Sequence, residues 1–189
     1  MQSKPTKNRS SIWLYILLWL FFVYLYTQIL SFDQASVSNV VLGGMYFIQF
    51  GVHEASHIVF GFLPAIMVAA AGSLGEIAFT SLIAFAAFRA KSYFAGVFSL
   101  LWVMLAMTSA GNYMADARAQ AMPLVGPSEN PQHDWHFVFG QLGWLNADTA
   151  IGGSVRFAGD VIGLAGLILG LVLIIGMVTA NRTTPGNIR

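Results

Sequence analysis

The chain has 189 residues, of which 57% are hydrophobic and only 9% are charged. Because soluble domains carry about 25% charged residues, this composition predicts an integral membrane protein whose main partner is the lipid bilayer. The net charge of +1 gives no field that would suggest a nucleic-acid partner. The chain has no cysteine, which excludes disulfides and thiolate metal sites.

Five apolar segments are long enough to cross a bilayer at a rise of about 1.5 Å per residue. We predict an all-α fold, a polytopic transmembrane helix bundle of about five spanning helices in one membrane domain, residues 11–180. The first segment is expected to be a retained anchor rather than a signal peptide, because it is long and lacks a cleavage motif. A bacterial inner membrane is the expected location. The predicted spans are 11–30, 40–62, 65–88, 93–113 and 157–180, with tails at 1–10 and 181–189 and a loop at 114–156.

The second apolar segment contains the pentapeptide His53-Glu54-Ala55-Ser56-His57. In a helix, His53 and His57 lie one turn apart on one face, so both imidazoles can reach a single ion. Glu54 would lie beside that ion, where its carboxylate can accept a proton from water. An ionised side chain at bilayer depth costs about 2.5 to 3.5 kcal/mol, which favours a metal site over a chance match or histidines bonded between helices.

A catalytic zinc ion usually has three protein ligands and one open position, so a third ligand is needed. Asp116, at the end of the fourth segment, is the first candidate, since that segment should lie parallel and close to the histidine helix. The alternative for Asp116 is an interfacial acid paired with Arg118. His133 is the rival third ligand, which the loop containing His133-Asp134-Trp135-His136 would deliver. The alternative for this loop is an amphipathic stretch with Trp135 at the headgroups.

Three further polar residues are expected beside the ion rather than on it. Asp134 and His136 would lie next to the site, where Asp134 could orient a ligating histidine. Glu76, in the third segment, is either a similar partner of a histidine or a protonated carboxyl bonded across helices. The small residues at the start of that segment, Ala69 to Gly75, predict close packing against the histidine helix.

The arrangement of these motifs resembles the core of the site-2 protease family of intramembrane zinc metalloproteases. The resemblance covers roughly residues 40–120 and implies zinc as cofactor, with His53 and His57 as ligands. It also implies Glu54 as the base, Asp116 as the third ligand and Asn112 as a substrate-polarising or substrate-positioning group.

This chain departs from the pattern of the family at two positions. Ser56 stands where the family usually has glycine, and Ala117 follows Asp116 where the family has glycine. The pentapeptide combined with the His-Asp-Trp loop also resembles a set of small uncharacterised bacterial membrane proteins.

The expected function is that of a membrane-embedded zinc metallohydrolase, an intramembrane metalloprotease with a membrane-protein substrate. The main alternative is a non-enzymatic small helical subunit of a membrane complex, with partner subunits and a structural metal, haem or pigment held by its histidines. Glu54 argues against that role, because a structural histidine pair does not require a neighbouring acid. Less supported alternatives are an iron enzyme and a transporter with a path of acidic residues.

Overall fold

The structure is a computed structural model that describes residues 9–124 and 132–182. The described chain is all-helical, which confirms the predicted fold class. Parts of the predicted tails and of the loop 114–156 lie outside the described residues. The helices are α1 (Arg9–Leu30), α2 (Val40–Val59), α3 (Ala65–Arg89), α4 (Tyr93–Ala115), α5 (Asp134–Leu142) and α6 (Asp148–Arg182), with one 3₁₀ turn (Leu145–Ala147) before α6.

Four stretches of helix are long and apolar enough to cross a membrane, so the chain is an integral membrane protein. The histidine helix α2 is 20 residues long but is not among these four. Its later half carries a cluster of polar side chains, which lowers its hydropathy. The four stretches are Ile12–Leu30, Ala65–Arg89, Tyr93–Ala115 and Leu145–Asn181.

Helix α4 lies at the centre of the bundle and contacts all five other α-helices. Its apolar side chains form a core with α1, in which Leu25, Ile29, Leu101 and Met104 are fully buried. Close approach of α4 and α6 depends on glycine at their crossing. A Cβ atom at Gly152 would lie 2.8 Å from the backbone nitrogen of Ala115 and would also collide with the Gly111 carbonyl oxygen. The two backbones therefore touch there.

The segment between α4 and α6 differs most from the sequence prediction. It contains the short helix α5, and α6 begins at Asp148 rather than at Phe157. Residues 148–156 are polar and rich in glycine, so apolar length did not indicate that they form the first turns of α6. Asp148 fixes this helix start, because its carboxylate accepts hydrogen bonds from the backbone N–H of Arg118 and from the Arg118 guanidinium, at 3.1 and 2.9 Å.

Candidate metal site

The two histidines of the pentapeptide lie together on α2 and line one cavity. The helix begins after Asn39, whose side chain accepts hydrogen bonds from the N–H groups of Val41 and Leu42. The ring centroids of His53 and His57 are 4.8 Å apart and the ring planes are inclined by 71°. The helical spacing therefore brings the two imidazoles side by side.

Asp134, the first residue of α5, places its carboxylate between the two imidazoles. Its Oδ2 atom lies 3.2 Å from His53 Nε2 and 3.4 Å from His57 Nε2. One nitrogen from each histidine and one carboxylate oxygen of Asp134 all lie within 4.8 Å of one another. These three side chains form the candidate metal site of the described chain.

The other ring nitrogen of each histidine already has a strong partner. His53 Nδ1 lies 2.7 Å from Glu76 Oε1, and Gln49 Nε2 donates to the other oxygen of Glu76 at 3.2 Å. His57 Nδ1 lies 2.8 Å from the carbonyl oxygen of Val68, which can only accept a hydrogen bond. A neutral imidazole has one N–H, and these shorter contacts assign it to Nδ1. The Nε2 lone pairs then face Asp134.

With both imidazoles neutral, three electron-pair donors therefore converge at one place. Tetrahedral zinc with bonds of about 2.0 to 2.1 Å holds neighbouring ligand atoms about 3.3 Å apart. The 3.2 and 3.4 Å separations match that spacing, and they lie at and beyond the long end of the roughly 2.7 to 3.2 Å range of an N–H···O bond. Two imidazoles and one carboxylate thus fit a divalent cation with an open coordination position.

The charge of Asp134 also suits a cation. Burial raises the pKa of its carboxyl group, but when no metal is bound and the two histidines carry protons that face it, their hydrogen bonds outweigh burial and hold the pKa below its ordinary value. Asp134 is therefore ionised at neutral pH, which is the form that binds a metal ion.

The small-residue face of α3 packs against the histidine helix, as the sequence predicts. A Cβ atom at Gly72 would collide with the His53 ring, and one at Gly75 would collide with the Ser56 hydroxyl. Glu76 follows on the same helix and is only 4% exposed. Glycine at these positions lets α3 approach closely enough for Glu76 to reach His53.

Three contacts hold α5 over the histidines. Trp135 is buried, and its indole N–H donates to Ser73 Oγ on α3 at 3.0 Å, so it does not lie exposed at a membrane surface. The backbone N–H of Asp134 donates to the Tyr113 hydroxyl at 3.1 Å. His133 caps α5, since its Nδ1 accepts a hydrogen bond from the N–H of His136 at 3.2 Å. These contacts fix the direction in which the Asp134 carboxylate points.

The predicted third ligands Asp116 and His133 lie outside the histidine cluster. Helix α4 ends at Ala115, and the Asp116 carboxylate accepts hydrogen bonds from the N–H groups of Ala121 and Met122, both at 3.0 Å. His133 Nε2 lies 3.4 Å from Asp116 Oδ2. In this structure the pair closes the turn after α4 and supports α5, while Asp134 occupies the position predicted for a third ligand.

Two other predicted site residues have different neighbours from those expected. Asn112 donates hydrogen bonds to the carbonyl oxygen of Phe32 and to Gln34 Oε1, both at 3.1 Å, and so holds the α1–α2 connection. His136 Nδ1 lies 2.8 Å from the carbonyl oxygen of Ala117, which anchors α5 to the end of α4. Neither residue contacts the three converging side chains.

The candidate site opens into a cavity of about 1200 Å³ between α2, α3, α4 and α5. Glu54 lines this cavity and is half-buried. Tyr113, which sequence reasoning missed, lines it too and contacts Asp134. Most of the remaining wall is apolar, including Tyr46, Phe50, Ile58, Leu63, Val68 and Phe137.

The fold and these residues define the class of protein: an all-helical integral membrane protein with a candidate metal site of two histidines and an aspartate. Comparisons of the chain with protein-family models, curated proteins and solved structures give no match.

Proposed function

We propose that this protein is a membrane-embedded, metal-dependent hydrolase whose zinc ion is held by His53, His57 and Asp134. The observation that supports this most is the convergence of two imidazole nitrogens on one carboxylate oxygen, at 3.2 and 3.4 Å, with both Nδ1 atoms bonded elsewhere. Such a cluster of acceptors is unfavourable unless a cation or extra protons lie among them. A bacterial inner membrane is the proposed location.

Zinc is the proposed ion because two histidines and a carboxylate form a common catalytic zinc set with one open position. When bound, zinc would act as a Lewis acid that polarises a carbonyl group and lowers the pKa of water to about 7. Glu76 and the Val68 carbonyl orient the two imidazoles through their Nδ1 atoms. Contacts of this kind typically strengthen metal affinity by about 10- to 100-fold.

Glu54 is the proposed general base. It lines the same cavity as the three ligand side chains and follows His53 in the chain. Its carboxylate accepts a proton from the attacking water, whose oxygen bonds to the carbonyl carbon of the substrate. When the carbon–nitrogen bond breaks, Glu54 returns that proton to the leaving amine.

The proposed substrate is a peptide bond in a membrane protein, which is the substrate that the resemblance to intramembrane metalloproteases implies. The apolar wall and the volume of about 1200 Å³ suit an apolar segment of several residues. Such a segment must be unwound at the bond that is cut, because a transmembrane helix hides its carbonyl groups in internal hydrogen bonds.

A second candidate function is that of a small subunit of a membrane complex in which the metal has a structural role. The favouring observation is that Asp134 connects α5 to α2 through both histidines, so that an ion there would fasten the two helices together. In that case Glu54 has no chemical role. The same purified protein distinguishes the two functions.

The test uses the full chain in lipid nanodiscs, with metal analysis of wild type and Glu54→Gln. We expect one zinc per chain in both proteins. Cleavage is measured by mass spectrometry of new peptide termini after incubation with solubilised membrane proteins, and we expect products only with wild type. Equal products from both proteins would overturn the role of Glu54. Zinc without any cleavage would favour the structural function, and absence of metal would overturn both.

A further inference from the structure

Tyr113 is the polar residue beside the candidate site that the proposed function leaves without a role. It lies near the end of α4 and lines the cavity with the metal-site residues. Its hydroxyl oxygen is 3.4 Å from Asp134 Oδ2, the atom that faces both histidines. Its ring stacks on His133 with centroids 4.2 Å apart and planes inclined by 30°.

The hydrogen bonds of this hydroxyl group leave its proton available. A phenol has one proton to donate and can also accept a hydrogen bond. The Tyr113 oxygen accepts from the backbone N–H of Asp134 at 3.1 Å, so its accepting side is engaged and its position is fixed. Its proton faces Asp134 Oδ2 at 3.4 Å, well beyond the 2.5 to 3.0 Å of a good O–H···O bond. That proton is therefore only weakly held.

We propose that Tyr113 is a catalytic residue of the hydrolase, which donates a hydrogen bond to the oxyanion that develops on the substrate carbonyl. This inference rests on the proposed function. The donor is preorganised, because the backbone of Asp134 and the ring of His133 hold it before substrate arrives. Losing one donor of this kind typically lowers the rate by about 100- to 1000-fold. An oxyanion at the usual O–H···O distance of about 2.5 to 3.0 Å would be a closer acceptor than the Asp134 oxygen at 3.4 Å.

A purely positioning role is the competing explanation, since Tyr113 also holds Asp134. The two roles differ in which binding affinity depends on the hydroxyl group. A positioning residue affects zinc affinity, because it orients a ligand. A donor to the oxyanion also affects the binding of a tetrahedral anion at the site when zinc is fully bound.

The experiment measures binding of octylphosphonate to the zinc-loaded protein in nanodiscs by titration calorimetry. The phosphonate head is a tetrahedral anion like the reaction intermediate, and the octyl chain suits the apolar cavity. Tyr113→Phe removes the hydroxyl group and keeps the ring that stacks on His133. Tyr26→Phe is the matched control, because Tyr26 is not among the residues that line this cavity and its hydroxyl group donates to the carbonyl oxygen of Asp160 at 3.4 Å.

We expect Tyr113→Phe to weaken phosphonate binding by about 10- to 100-fold, the effect of losing one hydrogen bond to a charged group. Its zinc affinity should fall by no more than about tenfold, because the variant also loses the acceptor of the Asp134 backbone N–H, and phosphonate binding is therefore measured with zinc saturating. The control at Tyr26 should bind phosphonate normally. Incorporation of 3-fluorotyrosine at position 113, a more acidic donor of nearly the same shape, should tighten binding. It therefore tests the inference even if the phenylalanine variant does not fold.

Three results would overturn the inference. Unchanged phosphonate binding in Tyr113→Phe would exclude the donor role and leave the proposed hydrolase intact. A loss of zinc in this variant, with normal phosphonate binding once zinc is restored, would make Tyr113 a positioning residue. A wild-type protein that binds no zinc would remove the proposed function itself, and the inference with it.

Discussion

Replacing Asp134 by asparagine tests which acid completes the metal site. The change keeps the size of the side chain and the backbone N–H bond to Tyr113, but it removes the negative charge 3.2 and 3.4 Å from the two histidine nitrogens. Structural zinc sites with four ligands bind with about 10 to 16 kcal/mol, or roughly 2.5 to 4 kcal/mol per ligand. We therefore expect Asp134→Asn to weaken zinc binding by about 100- to 1000-fold.

The assay is competition with a chromophoric zinc chelator in nanodiscs, with Asp116→Asn as the matched control. Asp116 bonds to the N–H groups of Ala121 and Met122 rather than to the histidine pair, so its variant should keep zinc affinity within about tenfold of wild type. The opposite order, with zinc lost in Asp116→Asn and kept in Asp134→Asn, would refute the geometric reasoning. It would favour the ligand set that the family resemblance implies.

Three further predictions concern the surroundings of the metal site and the start of α6, and the second of them has a control variant. Glu76→Gln should weaken zinc binding by about tenfold, because His53 loses the acid whose oxygen lies 2.7 Å from its Nδ1; unchanged affinity in the chelator assay would exclude that role. Gly72→Ala should destabilise the fold by about 1 to 3 kcal/mol in thermal unfolding, since its methyl group would collide with the first imidazole. Gly44→Ala is the control, since an added methyl group there has no atom within 4 Å, and it should stabilise α2 by about 0.5 to 1 kcal/mol. Equal effects of the Gly72 and Gly44 changes would contradict the close packing of α3 on the first imidazole. Arg118→Ala should destabilise the fold without changing zinc affinity, since it leaves the Asp148 carboxylate without its ion pair 2.7 Å away; an unchanged melting temperature would count against this anchor.

Much of the fold could be predicted because its signals are local. Apolar length locates α1 to α4 and the later part of α6, and Pro64 separates α2 from α3 where the structure also breaks. The spacing of His53 and His57 predicts that their rings lie together, since helical geometry needs no knowledge of the rest of the chain. The small residues of α3 predict close packing on α2 for the same reason.

The third metal ligand could not be assigned from the sequence because its identity depends on how α5 packs against α2. Asp116 and Asp134 are both acids close to a helix end, and no local pattern tells which one reaches the histidines. The choice is made by the contacts of α5, chiefly the bond from Trp135 to Ser73 and the bond from Asp134 to Tyr113. These contacts join residues far apart in the chain, so only the folded structure shows them.

The most direct test of the proposed metal site is anomalous diffraction at the zinc edge from crystals of the zinc-loaded protein. The proposed site predicts one strong peak about 2.0 to 2.2 Å from His53 Nε2, His57 Nε2 and a carboxylate oxygen of Asp134. A peak at Asp116 and His133, or no peak near the two α2 histidines, would contradict it.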